Sequence, residues 1–143
     1  MQLLLTQLLG LEGIEVETYE ERGNRFILEV ANSESATCPR CGRESHDLHQ
    51  NHRHLVRDLA LSEHQTWLRV NRRQFKCDEC GKPFSEELNF VGKRRSYTNR
   101  LARQVVKQVL HSDVANVARH HDLSEDVVWS MVEYLSEKNS TST

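Results

Sequence analysis

Little in this sequence of 143 residues suits a membrane span, a secreted scaffold or a uniformly basic nucleic-acid coat. Aromatic residues make up 6% of the chain, thin for one continuous core, so part of the fold needs another stabiliser. No apolar run is long enough to cross a bilayer: the opening leucine-rich stretch breaks at Thr6 and Gln7, and Glu12 follows. That stretch also has no basic leader and no small-residue cleavage site, which makes it a short amphipathic lead-in helix and places the chain in the cytoplasm. Nor is one charge in excess, with 19 Lys and Arg against 21 Asp and Glu, a net charge of −2. The length fits one domain or two small ones.

What is present is unevenly distributed. Residues 1–36 carry a net −5, residues 37–110 a net +7 and residues 111–143 a net −4. Asymmetry of this kind marks a local interaction surface that the total conceals. Period-two alternation over residues 14–19 and 25–31, with a turn around Gly23, predicts a β hairpin. Two further strands are expected at Arg53 to Leu59 and Gln65 to Phe75. From Thr98 the apolar spacing turns helical (Leu101, Val105, Val109), with Thr98 as N-cap. Two shorter helices follow, Asp113 to His121 and Glu125 to Ser136, capped by Ser112 and Ser124. The polar stretch 138–143 reads as a disordered tail.

All four cysteines fall in two matching motifs, Cys38-Pro-Arg-Cys41-Gly42 and Cys77-Asp-Glu-Cys80-Gly81. A CxxC knuckle folds two sulfurs onto one ion, and two knuckles complete the tetrahedron that zinc prefers. The predicted strands between the pairs return the second knuckle to the first. A disulfide framework would suit an exported chain, and a redox dithiol would sit at a helix start after a strand; neither context occurs. A zinc deaminase needs a histidine with Glu two places on, which this chain lacks. Cys38, Cys41, Cys77 and Cys80 are therefore expected to hold one structural Zn2+, in a closed site with no position for a catalytic water. His46, His49, His52 and His54 crowd the following segment, read as a polar loop or a phosphate-facing surface.

Val114 to Tyr134 has helix-turn-helix spacing: Ala118 at the small contact position, Asp122 in the turn, Val128 and Met131 buried on the last helix. The exposed face of that helix would carry Glu125, Asp126, Trp129, Ser130 and Glu133, with two carboxylates that repel phosphate. The cations lie earlier, on a basic linker (Lys93, Arg94, Arg95) and on one face of the first helix (Arg100, Arg103, Lys107). An arm followed by a basic helix face can track a phosphate backbone.

With these motifs the chain resembles the N-terminal part of ISL3-family transposases, from about Leu8 to Leu135. The matching stretches are CPRCG at 38–42, His54 to Leu59, the basic strand Leu68 to Cys77, DECGKPFSE at 78–86, and Asp113 to Met131. The resemblance implies an α+β fold, a β hairpin and four-cysteine zinc ribbon followed by a three-helix helix-turn-helix bundle. The parts would be a lead-in over 1–36, the ribbon over 37–90, the helix-turn-helix over 91–137 and the tail over 138–143. It also implies recognition of double-stranded DNA, specifically the terminal inverted repeats of a mobile element, in a prokaryotic, nucleoid-associated setting. Members cut DNA with an acidic triad; Asp58, Asp113, Asp122 and Asp126 form none, so a non-enzymatic binding role is expected. Arg69, Arg72, Arg73, Lys93, Arg94, Arg95, Arg100 and Arg103 would contact phosphates, while Ser124, Trp129 and Ser130 would face bases. The alternative is a zinc-ribbon adaptor or regulator derived from a transposase, docking a second copy or a protein partner through the acidic last helix.

Overall fold

The computed structural model describes residues 2–32 and 34–141, with the side chains of residue 2 and residues 138–141 left aside. Helix α1 (Gln2–Leu9) leads in and stops at Gly10, whose positive φ of 66° lets its N–H reach back 3.1 Å to the Thr6 carbonyl. Strands β1 (Glu15–Arg22) and β2 (Arg25–Ala31) then form an antiparallel hairpin closed by a two-residue turn at Gly23. A positive φ of 60° at Gly23 is what such a turn demands.

After the first cysteine knuckle, framed by β3 (Ala36–Thr37) and β4 (Glu44–Ser45), the chain builds its longest hairpin. Strands β5 (Leu48–Leu61) and β6 (His64–Lys76) pair along almost their full length. One edge of β6 takes β5. The other takes β2 in parallel at residues 65–69, and then the short β7 (Pro83–Ser85) antiparallel at residues 74–76. One five-stranded sheet thus joins the lead-in hairpin to the ribbon.

Strand β5 starts earlier than its apolar pattern predicts. Residues 48–55 are all exposed, so the period-two signal of burial is missing there although the ladder continues. His49, His52 and His54 accordingly lie on a strand rather than in a loop.

Three helices follow: α2 (Asn99–Val109), α3 (Val114–His121) and α4 (Glu125–Thr141). Four helices are thus present among the described residues, α1 lying apart in sequence on the sheet side. Thr98 caps α2 as its sequence suggests, accepting from the Leu101 N–H at 3.3 Å. For α3 the cap is Asp113, not Ser112: the Asp113 carboxylate accepts from the Asn116 N–H at 2.8 Å. A carboxylate there also complements the positive end of the helix dipole. Ser124 accepts from the Val127 N–H at 3.2 Å. Helix α4 continues to Thr141, into the stretch expected to be disordered, while residues 142 and 143 lie outside the described residues.

The core is divided in three. Leu9, Val16, Leu28, Val30, Val56, Leu68, Val70, Phe90 and Val91 pack between α1, the sheet and the segment after β7. Leu101, Ala102, Val105, Val117, Ala118, Val128 and Met131 hold α2, α3 and α4 together. A third cluster of Ala36, Cys38, Phe75, Cys77 and Phe84, with Cys80 packed against it, lies under the knuckles. A cluster that small cannot support its loops alone, which is where the low aromatic content tells.

Candidate metal centre and nucleic-acid interface

The two knuckles are built alike. In the first, the Cys38 N–H donates to the Arg43 carbonyl (2.8 Å) and the Gly42 N–H donates back to the Cys38 carbonyl (2.9 Å). In the second, Cys77 pairs with Lys82 (3.1 Å) and Gly81 with Cys77 (2.8 Å). Both glycines hold positive φ, 77° and 69°, a conformation that a side chain would strain. This brings all four sulfurs within 4.8 Å of one another. The Cys38–Cys80 and Cys41–Cys77 separations are 4.0 and 3.5 Å, too long for a disulfide bond. A tetrahedron with zinc–sulfur bonds of about 2.3 Å has edges of about 3.8 Å, so the donor set fits a four-thiolate Zn2+ centre.

The four thiols differ in how readily they give up their protons. Burial raises the Cys38 thiol, but the N–H groups of Arg40 and Cys41 and the Arg40 side chain outweigh it and bring it down to about 6. Hydrogen bonding to Cys41, then burial, pushes Cys80 up to about 12. Without a cation, crowded thiols divide the protons unequally; a central dication favours thiolate at all four. The knuckles are also tied to the sheet. The Ser45 hydroxyl donates to the Lys76 carbonyl at 2.5 Å, and Arg40 donates to the carbonyls of Lys82 (3.0 Å) and Pro83 (3.2 Å).

The helix-turn-helix turn is equally defined. Asp122 adopts left-handed geometry (φ 54°, ψ 50°) and the Leu123 N–H closes onto the Ala118 carbonyl at 2.8 Å. Arg57, reaching across from β5, donates to the Asp122 carbonyl at 3.1 Å and to the His121 carbonyl, neutralising the negative end of α3. Its guanidinium stacks 5.6 Å from the Trp67 ring centre, and burial lowers its pKa, which the nearby Asp122 opposes. Gln65 of β6 donates to the Asp122 carboxylate at 2.9 Å. Sequence reasoning passed over Arg57 because nothing local marks an arginine whose partners lie 64 and 65 residues later.

The cations expected at phosphates divide into two groups. Arg72 donates to the carbonyls of Gly92 (3.2 Å) and Arg95 (2.8 Å), and burial lowers its pKa. Arg73 forms a bidentate pair with Glu86 (3.0 and 2.5 Å) and lies over the Phe75 ring. Arg95 stacks on Tyr134 and donates to the Ser130 hydroxyl at 3.3 Å. Arg100 grips Asp58, a fully buried carboxylate that also accepts from the Thr98 hydroxyl (2.7 Å), and donates to the Leu9 carbonyl at 2.6 Å. These four hold the fold. Lys93, Arg94 and Arg103 are exposed and Arg69 half-buried, leaving them as the cations open to a ligand.

On α4 the outer face carries Glu125, Asp126, Trp129 and Glu133, with Trp129 53% exposed. Ser124 is exposed at the start of that helix. Ser130 instead turns inward, 3.0 Å from the Tyr97 hydroxyl, because the Tyr97–Tyr134–Arg95 layer needs a hydrogen-bonding partner there.

A zinc-binding knuckle pair followed by this helical turn defines a two-part class. Residues 34–80 match the zinc-finger of transposase IS204/IS1001/IS1096/IS1165, and residues 86–136 match the helix-turn-helix domain of transposase family ISL3. Both matched domains are those of ISL3-family transposases, and the chain is similar to the N-terminal region of such proteins. Among its relatives is the transposase for insertion sequence element IS1001 of Bordetella parapertussis, 31% identical over 115 residues. That match covers 69% of this chain and 28% of the relative, so the chain corresponds to a minor part of the relative's length. No solved structure matches the chain. No helix among the described residues is long and apolar enough to cross a membrane.

Proposed function

We propose that the chain is a zinc-dependent module that recognises double-stranded DNA at the terminal inverted repeats of a mobile element, in a prokaryotic, nucleoid-associated setting. The observation that carries this reading is the Arg57 bridge, which lets a zinc-stabilised hairpin orient the helix-turn-helix turn so that both parts meet one duplex. Arg69, Lys93, Arg94 and Arg103 take phosphates, and the Ser124 end of α4 approaches the bases. Arg72, Arg73, Arg95 and Arg100 act on DNA by positioning, since each guanidinium is held by a hydrogen bond within the protein. The zinc-binding part (37–90) and the helical part (91–137) are two parts that act on the duplex as one. Strand cutting is no part of this role, because a closed thiolate site and a helical turn supply no acid–base or metal-water chemistry. Selection of bound duplexes from a random-sequence library, with zinc-loaded protein, tests it: an enriched motif supports end recognition, and the absence of any motif reduces it to backbone binding.

One observation favours a second reading. Trp129 stands exposed between Glu125, Asp126 and Glu133, chemistry that suits a basic protein segment better than a phosphate backbone. In that adaptor reading α4 docks a partner or a second copy, and charge reversal at Glu125 and Asp126 weakens docking while strengthening any DNA binding.

A further inference from the structure

We propose that a groove on the ribbon, between β5 and the Gly92–Arg95 turn, binds a backbone phosphodiester of DNA, and that His52 and His54 make this grip stronger as pH falls. The proposal rests on the DNA-binding reading above and adds a site and its regulation.

The groove has a volume of about 430 Å³. It is the continuation of a core face. Val56, Leu68 and Val70 are buried on that face, and two and four residues further along β5 the same side carries His54 and His52, with Arg72 opposite His52. Alternation thus persists where burial ends, with ligand-type side chains in place of apolar ones.

The opposite wall is a preformed turn. The Arg95 N–H closes onto the Gly92 carbonyl at 3.1 Å, and Arg72 donates to the Gly92 and Arg95 carbonyls at the two ends of the turn. Lys93 and Arg94 sit at its exposed corners. Arg94 holds a φ of +60°, a left-handed conformation that is free of strain for glycine and strained for an arginine. Its guanidinium makes no hydrogen bond or ion pair with the described residues, so nothing within the fold accounts for an arginine at that corner.

The charges facing the histidines are Arg72 and Arg73 from β6, Glu86 from the segment after β7, and Lys93 and Arg94 from the turn. Glu86 is taken by Arg73, and the nearby Glu87 lies 3.9 Å from Lys93. No free carboxylate among the described groove residues therefore pairs with an imidazolium, whereas a phosphate between the walls would. Binding then draws protons onto His52 and His54, and affinity rises as pH falls through the range where histidine titrates.

Fluorescence anisotropy of the zinc-loaded chain with a labelled duplex of mixed sequence, at constant salt, tests this at about pH 8 and about pH 6.5. The wild type should tighten about five- to tenfold at the lower pH. The double variant His52→Gln/His54→Gln should change less than about twofold between the two. Arg94→Gly should keep its melting temperature or raise it, yet bind more weakly at both pH values. Tightening of the double variant equal to the wild type overturns the histidine role, and undiminished binding by Arg94→Gly overturns the groove. A wild type that binds no duplex at either pH overturns the DNA-binding reading itself, and this inference with it.

Discussion

Replacing Arg100 by alanine separates a structural cation from a phosphate contact. The Arg100 guanidinium is the main counter-charge to Asp58, whose side chain is fully buried, and it also holds the Leu9 carbonyl at the end of α1. Truncation leaves Asp58 with the Thr98 hydroxyl alone. Removing one partner of a buried pair costs about 3–5 kcal/mol, because the remaining charge loses its compensation in a poorly solvated site. Partial solvent access on the arginine side places Arg100→Ala near the lower end, about 3 kcal/mol. For a chain of this size that lowers the melting temperature by roughly 10 °C. Arg103→Ala, three residues on and exposed, should lie within about 0.5 kcal/mol of wild type. Thermal and urea unfolding of both zinc-loaded variants, followed by circular dichroism, measure the difference. Equal stability of Arg100→Ala and wild type, together with a reduced salt dependence of DNA binding, would refute the structural assignment.

Three further outcomes follow from the same geometry. Cys77→Ser or a chelator should remove zinc and unfold the ribbon half, seen as loss of bound metal by atomic absorption and of near-ultraviolet dichroism, with α2–α4 retained. Gly92→Ala should destabilise by about 1–3 kcal/mol in chemical denaturation, since its Cβ would lie 2.6 Å from the Tyr134 hydroxyl and 2.8 Å from the ring carbon bearing it. Burial, aided by His120 and Arg57, lowers the His121 pKa below its usual 6.5. The unfolded chain therefore binds the extra proton more readily, so this stabilisation is present above about pH 6.5 and is lost as pH falls through the lower folded value, and His121→Gln should flatten the decline seen in unfolding titrations.

The zinc ligands, the lead-in hairpin, the Thr98 cap and the Asp122 turn were legible because each is written in local sequence: a spacing, an alternation, a cap, a residue tolerant of left-handed geometry. The early half of β5 was not, because its side chains face solvent and the groove rather than a core, so the alternation of apolar and polar residues stops before the strand does. The roles of the arginines were hidden for another reason. A positive charge reads the same in sequence whether its counter-charge is a phosphate or a carboxylate brought close by folding. Arg100 meets Asp58 across 42 residues and Arg73 meets Glu86 across 13. Ser130 was misplaced by one helical face, since its partner Tyr97 lies 33 residues away on a separate segment.

The salt dependence of duplex binding by the zinc-loaded chain addresses the central claim most directly. With Arg69, Lys93, Arg94 and Arg103 at phosphates, the logarithm of affinity should fall against the logarithm of salt concentration with a slope of about −3 to −4. A slope near −7 would mean that the arginines assigned to the fold leave their partners to meet DNA, and a flat line would contradict DNA binding through the phosphate backbone altogether.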